Sequence, residues 1–470
     1  MKMLIGGTWV AKEATIDVVN PYDQSLVDTV PKASRDDVLQ AIETAQEGYV
    51  INRDLPVHQR ISILSRTAAI MQERFEELAR TIASEGSKTI REARKEVGRA
   101  INTITLSAEE ASRLNGETIS FDSAEGSENR VGYYYRFPIG IITAITPFND
   151  PLNLVAHKVG PAIAGGNAVI VKPATVTPLS ALKLAECLLE AGLPGPILSV
   201  ITGHGTDIGE TLVTDDRIRM VSFTGGVAAG ERVARLAGLK KIGMELGSNS
   251  PVIVLADCDL GRAVESCVSG AFWAVGQNCI GVQRIYVEES IYPAFKKAFV
   301  TRTRQYKTGP QLDENTDMGP MITEDEARRV ITWVEEAVTG GAICLTGGTR
   351  EGSLVQPTVM ENMPSGAKLD CQEIFGPVVS LYRVQSLEEA ITRANAVDYG
   401  LHAAIFTQKL NHAFRAIREL DVGGVMVNDS TDYRIDLMPF GGVKKSGLGR
   451  EGIRYALEEM TEPKVVCFNL

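Results

Sequence analysis

Two hydrophobic rhythms divide the chain. From Val57 to Ser84 the residues Ile61, Leu64, Ala68, Met71, Phe75, Leu78 and Ile82 recur every three or four positions, the period of one buried helix face. A second amphipathic stretch runs from about Ile90 to Leu114, so the first third is predicted to be mostly helical. From Gly140 the pattern changes. Short continuous apolar runs at 141–145, 168–171 and 198–201 alternate with helical segments such as 180–191. Apolar strands separated by helices predict parallel sheet covered on both faces. The alternation restarts near 251–255 and continues to about Phe440. The reading is an α/β fold of two doubly wound lobes, without internal repeats or a flexible linker.

Two segments fit neither lobe. Residues 131–137 are aromatic and strand-like, and the chain ends in Val465-Val466-Cys467-Phe468. Apolar strands left in solvent are a liability, so each should pair with something, across subunits or within one. The length of 470 residues supports more than one lobe, because single cores stop growing near ~250–300 residues. Lys and Arg total 48 against 59 Asp and Glu, a net charge of −11, which gives no overall basic field for nucleic acid. No run approaches the ~18 apolar residues of a membrane span, and the apolar run at Met3-Leu4-Ile5 is too short for a signal peptide. Seven cysteines without a CxxC pair read as reduced thiols, not a disulfide framework or a metal site. A cytoplasmic globule is expected.

Three segments carry candidate chemistry. Gly276-Gln277-Asn278-Cys279-Ile280-Gly281 lies between a predicted helix, 260–274, and a predicted strand, 284–287. A lone cysteine is more often a small buried hydrophobe than a nucleophile. Flanking glycines and a possible base raise Cys279 above the other six. That base is Glu245, 34 positions earlier in Met244-Glu245-Leu246-Gly247. A carboxylate in an apolar turn has its charged form disfavoured and can exchange protons near neutrality. Asn149, in Pro147-Phe148-Asn149-Asp150, follows a strand end, where its amide could donate to a developing oxyanion.

Together these segments resemble the aldehyde dehydrogenase family across nearly the whole chain. The order is Pro-Phe-Asn (147–149), Val-Lys-Pro-Ala (171–174), Phe-Thr-Gly-Gly (223–226), Glu-Leu-Gly (245–247), Gly-Gln-Asn-Cys (276–279), Glu-Ile-Phe-Gly-Pro (373–377) and Pro-Phe-Gly-Gly-Val-Lys-Lys-Ser-Gly (439–447). The resemblance implies that a Cys279 thiolate attacks an aldehyde and that Asn149 with the Cys279 N–H holds the oxyanion. It implies a thioester that Glu245 hydrolyses by activating water, and a Lys158 that orients Asn149 and Cys279. It also implies a cofactor lobe at 1–119 and 138–247, a catalytic lobe at 248–440, and an oligomerisation element at 120–137 and 456–470, in a homodimer or homotetramer.

No GxGxxG is present, so the cofactor site implied is the family's own. Its residues are Ile145, Thr146, Pro147, Phe148, Lys172, Thr175, Gly205, Phe223, Thr224, Gly225, Gly226, Leu246, Glu373 and Phe375. The helix starting at Val227 would turn its free N–H groups to a pyrophosphate. Lys172 would reach the adenosine ribose, Glu373 the nicotinamide ribose, and Phe375 would pack beside the ring. Relatives that prefer NAD often carry Glu where Thr175 stands. Its absence admits NADP beside NAD, and allows a preference for it.

The aldehyde entrance implied comprises Arg99, Asp150, His157, Asn278, Ile280 and the loop 431–436 with Arg434. Relatives acting on anionic aldehydes place arginines at such positions, and a guanidinium suits phosphate, sulfonate or carboxylate. Alternatively Arg434 pairs with Asp432 or Asp436, and Arg99 with a helix carboxylate. Hydroxyaldehydes of the lactaldehyde type fit a charge-balanced pocket as well. Three competing readings stay open: a CoA-acylating semialdehyde dehydrogenase, a silent scaffold that keeps the fold, and a cofactor-free thiol hydrolase.

Overall fold

The computed structural model describes residues 1–470 and contains two large sheets, a three-stranded sheet and three two-stranded ones. The first sheet runs Thr8–Val10, Met3–Ile5, Leu198–Val200, Ala168–Lys172, Ile141–Ile145, Ile218–Thr224, Lys241–Glu245, Gly447–Leu448. Its five inner strands are parallel, and the pairings at both ends are antiparallel. The inner strands are apolar runs because helices cover both faces, leaving no polar side. Chain order reverses between Ile141–Ile145 and Ile218–Thr224. In open α/β sheets the crevice at such a switch, outside the carboxyl ends, is where ligands sit.

The second sheet runs Ile343–Thr346, Thr358–Glu361, Val378–Val384, Val282–Glu288, Ser250–Val254, His402–Phe406, Gly424–Val427. Only its first pairing is antiparallel. Two lobes of α/β type are therefore present, as the apolar rhythm predicts. The strand Gly447–Leu448 returns from beyond the second sheet to the edge of the first.

Two details differ from the sequence reading. The first 31 residues form four short strands, up to Leu26–Pro31, before any helix starts. The periodic stretch 57–84 is two helices, Val57–Glu73 and Phe75–Glu85, broken at Arg74. Its guanidinium is held by Glu186 and Glu190 of the neighbouring helix, off the helical path.

The two outlying segments pair with each other. Arg130–Pro138 and Thr461–Asn469 form one antiparallel ladder, and Glu117–Ile119 adds a third strand. Thr461–Asn469 keeps an open edge, and Val131, Tyr135, Val465 and Phe468 are all at least half exposed. No helix is long and apolar enough to cross a membrane.

Candidate active site

Four neighbouring strands of the first sheet end in residues singled out by sequence. Ile145 leads to Thr146–Asn149, Ala168–Lys172 ends at Lys172, Thr224 leads to Gly225 and Gly226, and Lys241–Glu245 ends at Glu245. Their parallel register gathers segments 20 to 80 residues apart along one edge. The Gly225 N–H donates to the Glu245 carbonyl at 3.0 Å, joining the glycine turn to the carboxylate.

Cys279 arrives from the second lobe on a strained segment. The helix Leu260–Phe272 stops, and Ala274, Val275 and Gly276 follow with φ of 49°, 62° and 65°. A β-branched residue in left-handed conformation is a true outlier, costing about 1–3 kcal/mol. Gly276 is forced, because a Cβ there would lie 2.3 Å from the Gly376 carbonyl oxygen. Cys279 itself is half-buried. Burial pushes its thiol up to about 12; Arg434 opposes this, and Glu373, Glu245 and Glu451 add to it.

Cys279 and Asn149 line one small cavity of about 50 Å³, together with Lys88, Arg99, Asp150, Asn278, Ile280, Asp432, Arg434 and Phe440. Among the residues expected at the entrance, His157 is not there. It is 1% exposed, its Nε2 lies 2.9 Å from Asp436 Oδ1, and burial lowers its pKa. Arg99 pairs with that same Asp436 at 2.9 Å and with Asp150 at 3.6 Å, not with a helix carboxylate. Asp150 is also bound by Lys88, a buried cation the sequence reading passed over.

Arg434 pairs with neither Asp432 nor Asp436. Its Nη2 reaches Glu451 at 3.3 Å and its guanidinium lies 3.7 Å over the Phe440 ring. Glu451 was also passed over. It binds Lys158 at 2.8 Å, and the two cations hold its carboxyl down at about 2. Lys158 has Glu451 and Ser222 as partners and makes no hydrogen bond to Asn149 or Cys279. Glu245 does not line the Cys279 cavity; it stands in a separate small one with His157 and Glu451. Its Oε2 has no partner, and burial, reinforced by Glu451, raises its pKa well above the usual range. Arg434 is thus the positive charge shared by thiol and carboxyl.

The carboxyl edge of the first sheet suits a dinucleotide. The hydroxyls of Thr146 and Thr224 are buried without partners. Lys172 is buried with only neutral acceptors, Pro173 O at 2.9 Å and Thr175 Oγ1 at 3.3 Å, and burial lowers it to about 8. Thr175 Oγ1 donates in turn to Gly203 O at 3.1 Å. Gly205 opens the helix Gly205–Thr214, and Gly226 caps Val227–Ala237 with free space around its Cα. Phe223 and Leu246 are buried in the core beneath this turn. Phe148 and Phe375 meet edge to face at 5.7 Å, Phe375 with φ of 44°. Glu373 is folded onto the Ser248 N–H at 2.8 Å, and burial pushes it up to about 7.

Known proteins resemble this chain over nearly its whole length. The profile of the aldehyde dehydrogenase family matches residues 9–466. Aspartate-semialdehyde dehydrogenase 1 of Pseudomonas canavaninivorans is 51% identical, covering 97% of each chain. The 3-sulfolactaldehyde dehydrogenase of Priestia aryabhattai is 45% identical, covering 100% of this chain and 98% of its own. Among solved structures, glyceraldehyde-3-phosphate dehydrogenase GapN of Methanocaldococcus jannaschii, complexed with NADP, superposes with a TM-score of 0.94. It is 40% identical and covers 98% of this chain and 100% of its own. The two lobes, the strand-edge cradle and these matches together make the chain a member of the aldehyde dehydrogenase family, an NAD(P)-dependent aldehyde dehydrogenase.

Proposed function

We propose that the chain oxidises a short anionic aldehyde, hydroxylated or otherwise polar beside the carbonyl, to its carboxylate, with Cys279 as nucleophile. The carrying observation is the cavity beside Cys279, walled by Lys88, Arg99 and Arg434. The Nε–H groups of both arginines have no acceptor. Cations with donors to spare suit carboxylate, sulfonate or phosphate. The relatives named above act, by their names, on aldehydes carrying those three groups. Asp150 and Asp432 balance the cations and favour a substrate that also carries polar donors.

In this reading the Cys279 Sγ adds to the carbonyl carbon while the Asn149 amide and the Cys279 N–H donate to the oxygen. The dinucleotide, when bound along the strand edge, supplies a hydride acceptor. Cys279 then holds the acyl group as a thioester. Glu245 takes a proton from water, the hydroxide adds to the thioester, and the carboxylate leaves with the thiolate restored. A panel of matched short aldehydes tests the substrate class by reduced-nicotinamide formation. Anionic members are expected to exceed neutral ones at least tenfold in kcat/KM, with no acceleration by CoA. Equal use of neutral aldehydes would remove the reading, and dependence on CoA would favour the acylating alternative.

Residues 1–119 and 138–247 serve the cofactor, 248–440 the nucleophile, and 120–137 with 456–470 the subunit contact. The soluble expression fraction of a cell should contain the protein in its cytoplasm. The exposed apolar ladder 130–138/461–469 carries the contact reading, since an open hydrophobic edge strand invites pairing. Sedimentation should give a dimer or tetramer at micromolar concentration, and Val465→Asp with Phe468→Asp should shift it to monomer. A monomeric wild type would rule this out.

Thr175 tests cofactor choice. Thr175→Glu should weaken NADP by about five- to a hundredfold while sparing NAD, because like charges in a partly dry pocket cost on the order of 1–3 kcal/mol. Lys172 lacks any carboxylate partner and would pair with the introduced one, tending toward the low end. Equal losses in kcat/KM for both cofactors would mean that position 175 does not read the ribose.

A further inference from the structure

Two buried carboxylates outside the reacting groups stand one helical turn apart on the helix Ile90–Ala111, which belongs to the first lobe. Residues four apart share one helix face. Glu92 completes the capping box of that helix, accepting from the Thr89 N–H at 2.8 Å through Oε2. Its second oxygen has a different task. Oε1 accepts the Ala274 N–H at 2.9 Å, the first residue of the left-handed run that leads to Cys279. Glu96 uses Oε1 for the Leu152 and Asn153 N–H groups at 2.8 and 3.1 Å, at the start of the helix that follows Asn149. Its Oε2 accepts from Lys88 at 2.8 Å, and Lys88 also binds Asp150.

We infer that Glu92 and Glu96 are positioning residues. Through one rigid helix they fix the loop of the nucleophile and the loop of the oxyanion donor relative to each other. The inference rests on the roles of Cys279 and Asn149 given above. Three consecutive left-handed residues persist only if their surroundings over-determine them. The bond from Glu92 is a charge-assisted tie at the point where that run begins. Without it the run can relax, withdrawing Cys279 from Asn149 and exposing the thiol to water. Misplacement by about 1 Å costs up to roughly a hundredfold in rate where attack geometry must be near-ideal.

Shortening separates this role from helix capping. Glu92→Asp keeps the charge and can keep the cap, since Ser34 and Asp37 already form such a box with aspartate in this chain. The shorter side chain cannot reach Ala274 as well. The expected result is a pre-steady-state burst of reduced nicotinamide at least about tenfold slower, with unchanged cofactor affinity. Iodoacetamide labelling of Cys279, read by peptide mass, should become at least threefold faster, because a solvated thiol ionises more readily than a buried one. Cys187 and Cys267, both fully buried, should stay unlabelled and so exclude general unfolding.

Glu96→Asp should slow the burst as well but leave Cys279 labelling at the wild-type rate, because it acts on the Asn149 side. It also stands in if Glu92→Asp fails to fold. The inference is overturned if Glu92→Asp stays within twofold of wild type in burst and labelling, or if both variants expose Cys279 equally. A wild type that forms no reduced nicotinamide with any aldehyde defeats the oxidation reading alone. The contrast in labelling between the two variants then decides the brace by itself.

Discussion

Cys279→Ala is expected to lower aldehyde oxidation by at least about a thousandfold, the order of loss when a nucleophile is removed and nothing substitutes for it. Cofactor affinity should stay within twofold, since Lys172, Thr175 and the Gly225-Gly226 turn lie at or just beyond strand ends of the other lobe's sheet. Cys279→Ser should fare little better. A hydroxyl in the same buried setting is far harder to ionise than a thiol, and an alkoxide leaves an acyl adduct less readily. The thiol, pushed up to about 12 by burial, is itself almost wholly protonated at neutral pH in the free protein. The sign of the pH dependence follows. The thiolate fraction, and with it the acylation rate, should rise with pH across 7 to 10 unless bound ligands supply positive charge. Arg434 is the group positioned to oppose the shift, so Arg434→Gln should make the thiol harder still to ionise. Iodoacetamide labelling against pH measures this directly. Full steady-state activity in Cys279→Ala would sink the mechanism.

What the residues disclosed in advance was local. Short apolar runs at 141–145 and 168–171 announced the inner strands Ile141–Ile145 and Ala168–Lys172, because strands covered on both faces have no polar side to interrupt them. Cys279, Glu245 and Asn149 stood out because each lies in a short segment whose neighbours belong to the same task. The N-terminal strands were missed, being only three to six residues long, and all but Met3–Ile5 mix polar and apolar residues. A hairpin signal was nevertheless there: Gly6 and Gly7 both have positive φ, the requirement of a tight two-residue turn. Charge partners were the least legible. Arg99 and Asp436 meet across 337 positions, and Lys158 and Glu451 across 293. Nothing in a local window says which distant carboxylate a cation will find. That is why the alternative partners weighed for Arg434 are its neighbours in the loop, although folding offers it Glu451 and the face of Phe440. The tie from Glu92 to Ala274 spans 182 positions and is equally invisible to a local window.

Glu245→Gln is expected to fail differently from the cysteine variants. The amide has the shape of the carboxyl, so cofactor and aldehyde should bind and the first turnover should proceed, giving a burst close to one reduced nicotinamide per site. Steady turnover should then fall by about a hundred- to ten-thousandfold, the contribution typical of a positioned general base. Burial, with Glu451 close by, holds the Glu245 carboxyl well above its ordinary range, so the proton-accepting form grows as pH rises toward that raised value. Wild-type deacylation should climb over this interval, and the variant should lose the climb. Stability should move the other way. A carboxyl whose folded pKa lies above its unfolded one is most favourable when protonated, and its contribution is lost as pH rises from the unfolded toward the folded value. Glutamine has no such loss, and Oε2 of Glu245 has no partner to forfeit. Thermal melting should therefore show Glu245→Gln above wild type, by a margin that widens as pH rises above the ordinary carboxylate range. A variant that gives no burst would place Glu245 in the first half of the reaction. A lower melting temperature at pH 8 would mean that its charge is compensated after all, with Arg434 and Lys158 the cations at hand.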